Sequence, residues 1–319
     1  MKILSTGILS HGEPGTSRAI LTFPSICILS NGNVIAAWRC GSAKDSSDET
    51  IEMCCSRDGG KSWGETFHPF GDTIVDGIKG SLKLTYLTEL SPGRILAAAM
   101  WADRTSHPGK PLFNSDTEGC LPMAILLAES VDEGQSWSPW RKLDLPDDIG
   151  PPSLTSPVRR LPDGKLFCSI ETNKHYDDSS KWMQRVVLTH SSDDGTSWDS
   201  PVTAGQDPTG RVFNWDQRVG VSPDGRIGTF VWTYDTKTQT YLDIHRRISS
   251  DGGYSWSDAQ PLGFADQASA PAMLSDGRVV LAWVDRFGTQ SIRARLAHDI
   301  AGDFTEATEV VIYEHQAGT

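Results

Sequence analysis

The chain has 319 residues, 38% of them hydrophobic and 22% charged, which is apolar enough to bury a core and ordinary for a globular protein. Its formal net charge of −12 argues against nucleic acid and anionic membrane surfaces as partners, because both require a basic footprint. A small anionic ligand is still admissible, provided that a local cationic pocket works against the global field. The six cysteines (Cys27, Cys40, Cys54, Cys55, Cys120 and Cys168) show no CxxC pair and no zinc spacing, so free buried thiols in a reducing, cytoplasmic setting are expected. The first residues, Met1 to Gly7, lack a long apolar stretch and a clear cleavage site.

In chain order, Ile3 to Leu9 reads as a short strand able to pair with the last strands of the chain. From there a repeat takes over. An apolar run ends at Asn31-Gly32 and resumes as Val34-Ile35-Ala36-Ala37-Trp38. This strand, X-Gly turn, strand pattern is a hairpin signal. It recurs at Pro92-Gly93, Asp163-Gly164, Asp224-Gly225 and Asp276-Gly277. Interleaved with it is a second marker, S-x-D-x-G-x-S-W, at Ser56–Trp63, Ser130–Trp137, Ser191–Trp198 and Ser249–Trp256. The Asp carboxylate can accept N–H groups of its own turn, the Gly supplies a positive φ, and the Trp opens the next strand. These aspartates are therefore structural.

The turn glycine precedes the box glycine by 28, 41, 31 and 28 residues, so each unit holds two hairpins, or four strands. That is a propeller blade. A fifth unit has its hairpin at Asp276-Gly277, a decayed box at His298–Phe304, and a last strand, Glu309 to Tyr313. The expected fold is all-β: one domain, residues 1–319, of five four-stranded antiparallel blades.

Polar residues on inner strands and on the loops after the hairpins are the candidate site residues. Blade one offers Arg18, Arg39, Lys44 and Asp45, with Asp48 nearby. Blade two offers Lys79 and Lys83, then Trp101, Arg104 and His107 around a long insertion, residues 102–119. Blade three offers Glu171, Lys174, His175 and Tyr176. Blade four offers Trp215, Asp216, Gln217, Arg218, Tyr234 and Asp235, and blade five Gln267, Asp285 and Arg286. Cations with carboxyls among them suit an anionic sugar, and Trp101 and Trp215 suit stacking on sugar rings. His245, on an outer strand, reads as structural.

Four Asp boxes in interleaved four-stranded units resemble the sialidase (neuraminidase) superfamily over roughly residues 18–313. The resemblance implies a propeller, usually of six blades, against the five recognisable here. It also implies an arginine in an Arg-Ile-Pro segment opening blade one, where this chain has Phe23-Pro24 and, five residues earlier, Arg18. The family's general acid falls by spacing on Asp45, with Asp48 as the alternative. Its tyrosine nucleophile falls on Ala268, and the glutamate that activates the tyrosine falls on Asp216. The resemblance thus implies a carbohydrate-active site that lacks the usual nucleophile.

Three functions follow. The first is exo-acting hydrolysis of a sialic or uronic acid-type saccharide, with Asp45 as acid and Asp216 or Glu171 as base, inverting when the carboxyls lie about 6.5–9.5 Å apart. The second is β-elimination at a uronate, with Arg39 or Arg286 on the carboxylate and His175, Tyr176 or Tyr234 near the C5 proton. The third is sugar binding without turnover. The sequence calls for no cofactor and holds no evident metal-ligand set.

Overall fold

The computed structural model describes residues 1–287 and 289–315. Five antiparallel sheets follow one another along the chain, one per repeat. Residue contacts divide the chain into two compact units. The first comprises residues 7–158 and 172–182; the second comprises 1–6, 159–171 and 183–319.

The first unit holds two sheets. One joins Ile20–Ile28, Val34–Gly41 and Thr50–Ser56 in order, with Trp38 opposite Glu52 and Arg39 opposite Thr22. It has three strands rather than the expected four. The fourth position is held by a single bridge, in which Met53 and Phe67 exchange both backbone hydrogen bonds at 2.9 Å. The other sheet is built on the long strands Ile78–Ser91, Arg94–Asp103 and Met123–Ser130, with short strands Thr73–Val75 and Arg141–Lys142 at its edges. Alternation along Arg94–Asp103 sends Ala97, Ala99 and Trp101 into one core with Ile35, Ile51, Met53 and Leu126.

The second unit holds three sheets. Their main strands are Leu166–Glu171 and Arg185–Ser191, then Val212–Val221, Ile227–Asp235 and Asp243–Ser249, then Val279–Asp285 and Ser291–Ala297. Phe230, Leu281, Trp283, Ile300 and Phe304 form one core here, and Phe167, Leu188, Val219 and Ile227 another. The decayed box thus still delivers two buried apolar residues, Ile300 and Phe304. His245 lies opposite Val231 and Pro261 on the third strand of the fourth sheet.

The expected strand from Ile3 to Leu9 does not form: residues 1–19 hold no strand. Leu4 is 87% exposed and Ile8 74%, so the run has no apolar surface against which to pay its ordering entropy.

Both turn markers are realised. Gly32, Gly93, Gly164, Gly225 and Gly277 all have φ between 77° and 90°. In the S-x-D-x-G-x-S-W turns one carboxylate organises the loop. Asp193 Oδ1 accepts the Ser197 N–H at 2.8 Å and the Ser191 hydroxyl at 2.8 Å, and Oδ2 accepts the Ser197 hydroxyl at 2.6 Å. Trp198 Nε1 then donates to Gly195 O at 3.0 Å. The same carboxylate bonds recur around Asp58, Asp132 and Asp251. Hydrogen bonds from the serine hydroxyl and N–H hold Asp132, Asp193 and Asp251 down to about 2.

Candidate active site

In the first unit the predicted cations converge on a carboxylate that the sequence reading passed over. Glu49, immediately before the strand Thr50–Ser56, is buried and accepts from Arg39 Nε at 2.7 Å, from Lys83 Nζ at 2.9 Å and from Arg104 Nη2 at 2.9 Å. Lys83 also bonds Asp45 at 3.0 Å, and Arg104 pairs with the same Asp45 oxygen. The other Asp45 oxygen accepts the Leu112 N–H at 2.8 Å. Burial opposes ionisation of Asp45, but the Leu112 N–H and the two cations outweigh it and hold the carboxyl at about 2.

An acid held that low gives up its proton far below neutrality, so Asp45 fits poorly as the general acid the sequence suggested. It anchors the 102–119 insertion instead. Arg39 is completely buried and also donates to Thr22 Oγ1 and Ala43 O, so it is a structural cation and not a ligand for an external sugar. Trp101, 4% exposed with Nε1 directed at Thr73 O, is a core residue and presents no face for stacking. Arg18 is engaged by Glu52, Glu13 and Ser10, while Lys44 is exposed.

The blade-three cluster is only partly a surface loop. Lys174 is buried with Nζ on Ser180 O at 2.7 Å, and its carbonyl accepts the Cys120 N–H at 2.9 Å. Tyr176 is flanked by the His107 ring and by Lys110 Nζ, 4.7 Å from its centroid. Gly119 must be glycine here, since a Cβ would lie 2.1 Å from His175 O. His175 itself is exposed and lines a cleft of about 410 Å³ with Lys142, Leu143 and Asp147.

The second unit assembles the remaining candidates into one constellation. Glu171 ends the strand Leu166–Glu171 and is 7% exposed. Its Oε2 accepts the backbone N–H of Asp216 at 3.0 Å. Asp216 sits on a bulge between Trp215 and Arg218, with φ 48°, a left-handed conformation that Asp tolerates better than most residues. The bulge turns Asp216 toward the end of the neighbouring strand, where its side chain accepts from Gln267 and, at 3.5 Å, from Arg218. Gln267 in turn accepts from Arg286. Arg286 is held by Asp266, whose carboxylate takes its N–H at 2.8 Å and its Nη1 at 3.1 Å.

Burial and charge set Glu171 apart. Burial, reinforced by the negative charge of Asp216, pushes Glu171 up to about 8. Glu171 therefore keeps its proton at neutral pH and is a proton donor in waiting. Gln217, beneath them, is buried and donates to Ser169 Oγ at 2.9 Å, while its Oε1 is without a hydrogen-bond partner. Beside the carboxyls runs an aromatic face. Trp215 and Tyr234 stack at 5.0 Å, Trp232 and Tyr241 at 4.8 Å, and the Arg286 guanidinium lies 4.7 Å above Trp232. Tyr241 and the neighbouring Phe287 are 39% and 52% exposed.

No family model matches the chain, and no curated protein does. Solved structures do. A protein of unknown function from Dyadobacter fermentans superposes with a TM-score of 0.73 at 22% identity, over 92% of this chain and 83% of that one. The Hadza microbial sialidase Hz136 gives a TM-score of 0.71 at 16% identity, over 93% of this chain and 59% of that one. The intramolecular trans-sialidase from Ruminococcus gnavus gives 0.66 at 16% identity, over 96% and 86%. The fold is a sialidase-like β-propeller. The propeller neighbours also include the α-L-arabinanase of Penicillium chrysogenum, with a TM-score of 0.63 at 20% identity over 91% and 80%. The shared propeller therefore serves glycoside hydrolases of more than one sugar.

Glu49, Asp266 and Trp232 are the members that the sequence reading missed. Glu49 and Asp266 each lie within two residues of a named candidate, but nothing in a single sequence marks an acid as buried. Trp232 carried a usable signal, because it and Tyr234 alternate onto one face of their strand.

Proposed function

We propose that this chain is a carbohydrate-active enzyme: an exo-acting glycoside hydrolase for an acidic saccharide of the sialic or uronic acid type. The observation that supports this reading most directly is the pairing of Glu171, which keeps its proton at neutral pH, with Asp216. In the proposed reaction Glu171 protonates the departing glycosidic oxygen. Asp216 takes a proton from the water that attacks the anomeric carbon. By the family's spacing Ala268 falls where a sialidase-type tyrosine nucleophile would, which favours a single displacement and an inverted product. Arg286, with a side chain 42% exposed, is the cation best placed to meet the substrate carboxylate. The aromatic face supplies apolar surface for sugar C–H groups.

The test is a screen of the purified chain against terminal sialosides and uronosides, with the product anomer followed by NMR. Turnover with inversion supports the reading. Turnover with retention refutes the single displacement. A product absorbing near the ultraviolet edge replaces hydrolysis with β-elimination, and saturable binding without turnover replaces it with a lectin-like role.

A further inference from the structure

Cys40, Glu52 and His68 bring a sulfur, a carboxylate oxygen and an imidazole nitrogen within 4.8 Å of one another. All three belong to the first sheet and its edge. Trp38 and Cys40 share one face of the strand Val34–Gly41, opposite to that of Arg39, and Glu52 lies across from Trp38. His68 follows Phe67, whose bridge to Met53 brings the next residue alongside Glu52. The trio is thus on the other face of the sheet from the Arg39–Glu49 cluster.

Two details set the trio apart from a chance grouping. The first is the orientation of His68. Its Nδ1 lies 3.2 Å from the carbonyl oxygen of Ile51, which can only accept, so Nδ1 carries the hydrogen. Nε2 then presents a lone pair 3.8 Å from Glu52 Oε1. Nε2 is thus an acceptor facing a carboxylate oxygen that already accepts from Arg18. An imidazole steered through Nδ1 by a backbone carbonyl is also the usual support for a metal-ligating histidine. The second detail is Glu52 itself. Arg18 reaches both its oxygens and Trp38 Nε1 donates to Oε2 at 2.8 Å, so the carboxylate is locked in position inside the protein.

We propose that Cys40, Glu52 and His68 form a binding site for a zinc-class divalent transition-metal cation. The donor set of thiolate, imidazole and carboxylate is the borderline-soft set that zinc prefers, and three protein ligands leave one position for water. Binding exchanges one cation for the thiol proton: the S–H bond breaks, a sulfur–metal bond forms, and the proton leaves to solvent. The cation then occupies the space between Nε2 and Oε1. The exposed side of His68 is the entry path, since its side chain is 53% accessible while Glu52 is buried.

The test uses the full chain stripped of metal and titrated with Co²⁺, read by near-ultraviolet and visible absorption. One Co²⁺ per chain is expected, with a thiolate-to-cobalt charge-transfer band that Zn²⁺ bleaches. Cys40→Ser removes that band. His68→Ala, which disturbs no buried packing, weakens Co²⁺ binding at least tenfold and keeps the test valid if Cys40→Ser fails to fold. Absence of a thiolate band in the parent chain overturns the proposal, as does a Co²⁺ affinity unmoved by His68→Ala.

Discussion

Replacing Glu171 with Gln separates the catalytic reading from a structural one, because it removes a transferable proton and keeps nearly the same shape. Glutamine retains an acceptor for the Asp216 N–H, now made at 3.0 Å. The folded protein holds the Glu171 proton up to about 8, against an ordinary value of 4.5. Because the folded value is raised, the stability that this group contributes is complete below pH 4.5 and is lost as pH rises through about 8. At pH 7 the unfolded chain ionises the group and the folded chain does not. Roughly 2.5 pH units at about 1.4 kcal/mol each make a penalty of about 3 kcal/mol, approaching about 5 at pH 9. A neutral amide escapes that penalty. Glu171→Gln is thus expected to match the parent near pH 4.5, to be about 3 kcal/mol more stable at pH 7, and to gain further at pH 9. Urea unfolding at the three pH values measures this. In the same variant kcat/KM should fall by about 10²–10⁴, the usual contribution of a positioned general acid. A stability gain that does not grow with pH would falsify the perturbed carboxyl. Activity within about tenfold of the parent would remove Glu171 from the chemistry.

Four other outcomes follow from the same geometry. Asp216→Asn tolerates the left-handed backbone and should fold, yet lose at least about 100-fold in kcat. Its residual activity should decline at lower pH than in the parent, because Glu171 has lost the neighbouring charge that raised it. Arg286→Ala should raise KM for an acidic substrate more than it lowers kcat, and a KM unchanged within twofold would take the arginine out of carboxylate binding. Glu49→Gln leaves buried Arg39 without its carboxylate and Lys83 and Arg104 with Asp45 alone, and should cost about 3–5 kcal/mol in chemical unfolding; a loss under about 1 would contradict the network. Asp193→Ala should lower the melting temperature and leave kcat per folded molecule unchanged, a result that a catalytic role for that aspartate forbids.

The constellation also shows how far composition and position carry a functional reading. Arg39, Lys83 and Arg104 looked like a cationic lining, and each is a cation in a post-hairpin or inner-strand position. What they bind is Glu49 and Asp45, and no pattern in the chain announces that neutralisation. Asp216 stands out in the sequence because it lies between Trp215 and Gln217 in an inner-strand segment. Its left-handed backbone, and the N–H it lends to Glu171, come from a bulge whose register depends on the strand opposite.

The sequence by itself determined the repeat. Turn chemistry is local, so an X-Gly pair or an S-x-D-x-G-x-S-W run states its own conformation, and the spacing between them states how many strands lie in each unit. The five sheets and the structural duty of the four box aspartates follow from contacts between residues a few positions apart. Tertiary structure decided everything that depends on burial and on partners distant in the chain. It turned Asp45 into a loop anchor with its proton long gone, buried Trp101, and left residues 1–19 without a strand. It raised Glu171 by removing it from water beside a second carboxyl 45 positions away in the sequence. A carboxyl's ionisation is set by the dielectric and charges around it, and those are properties of the folded arrangement.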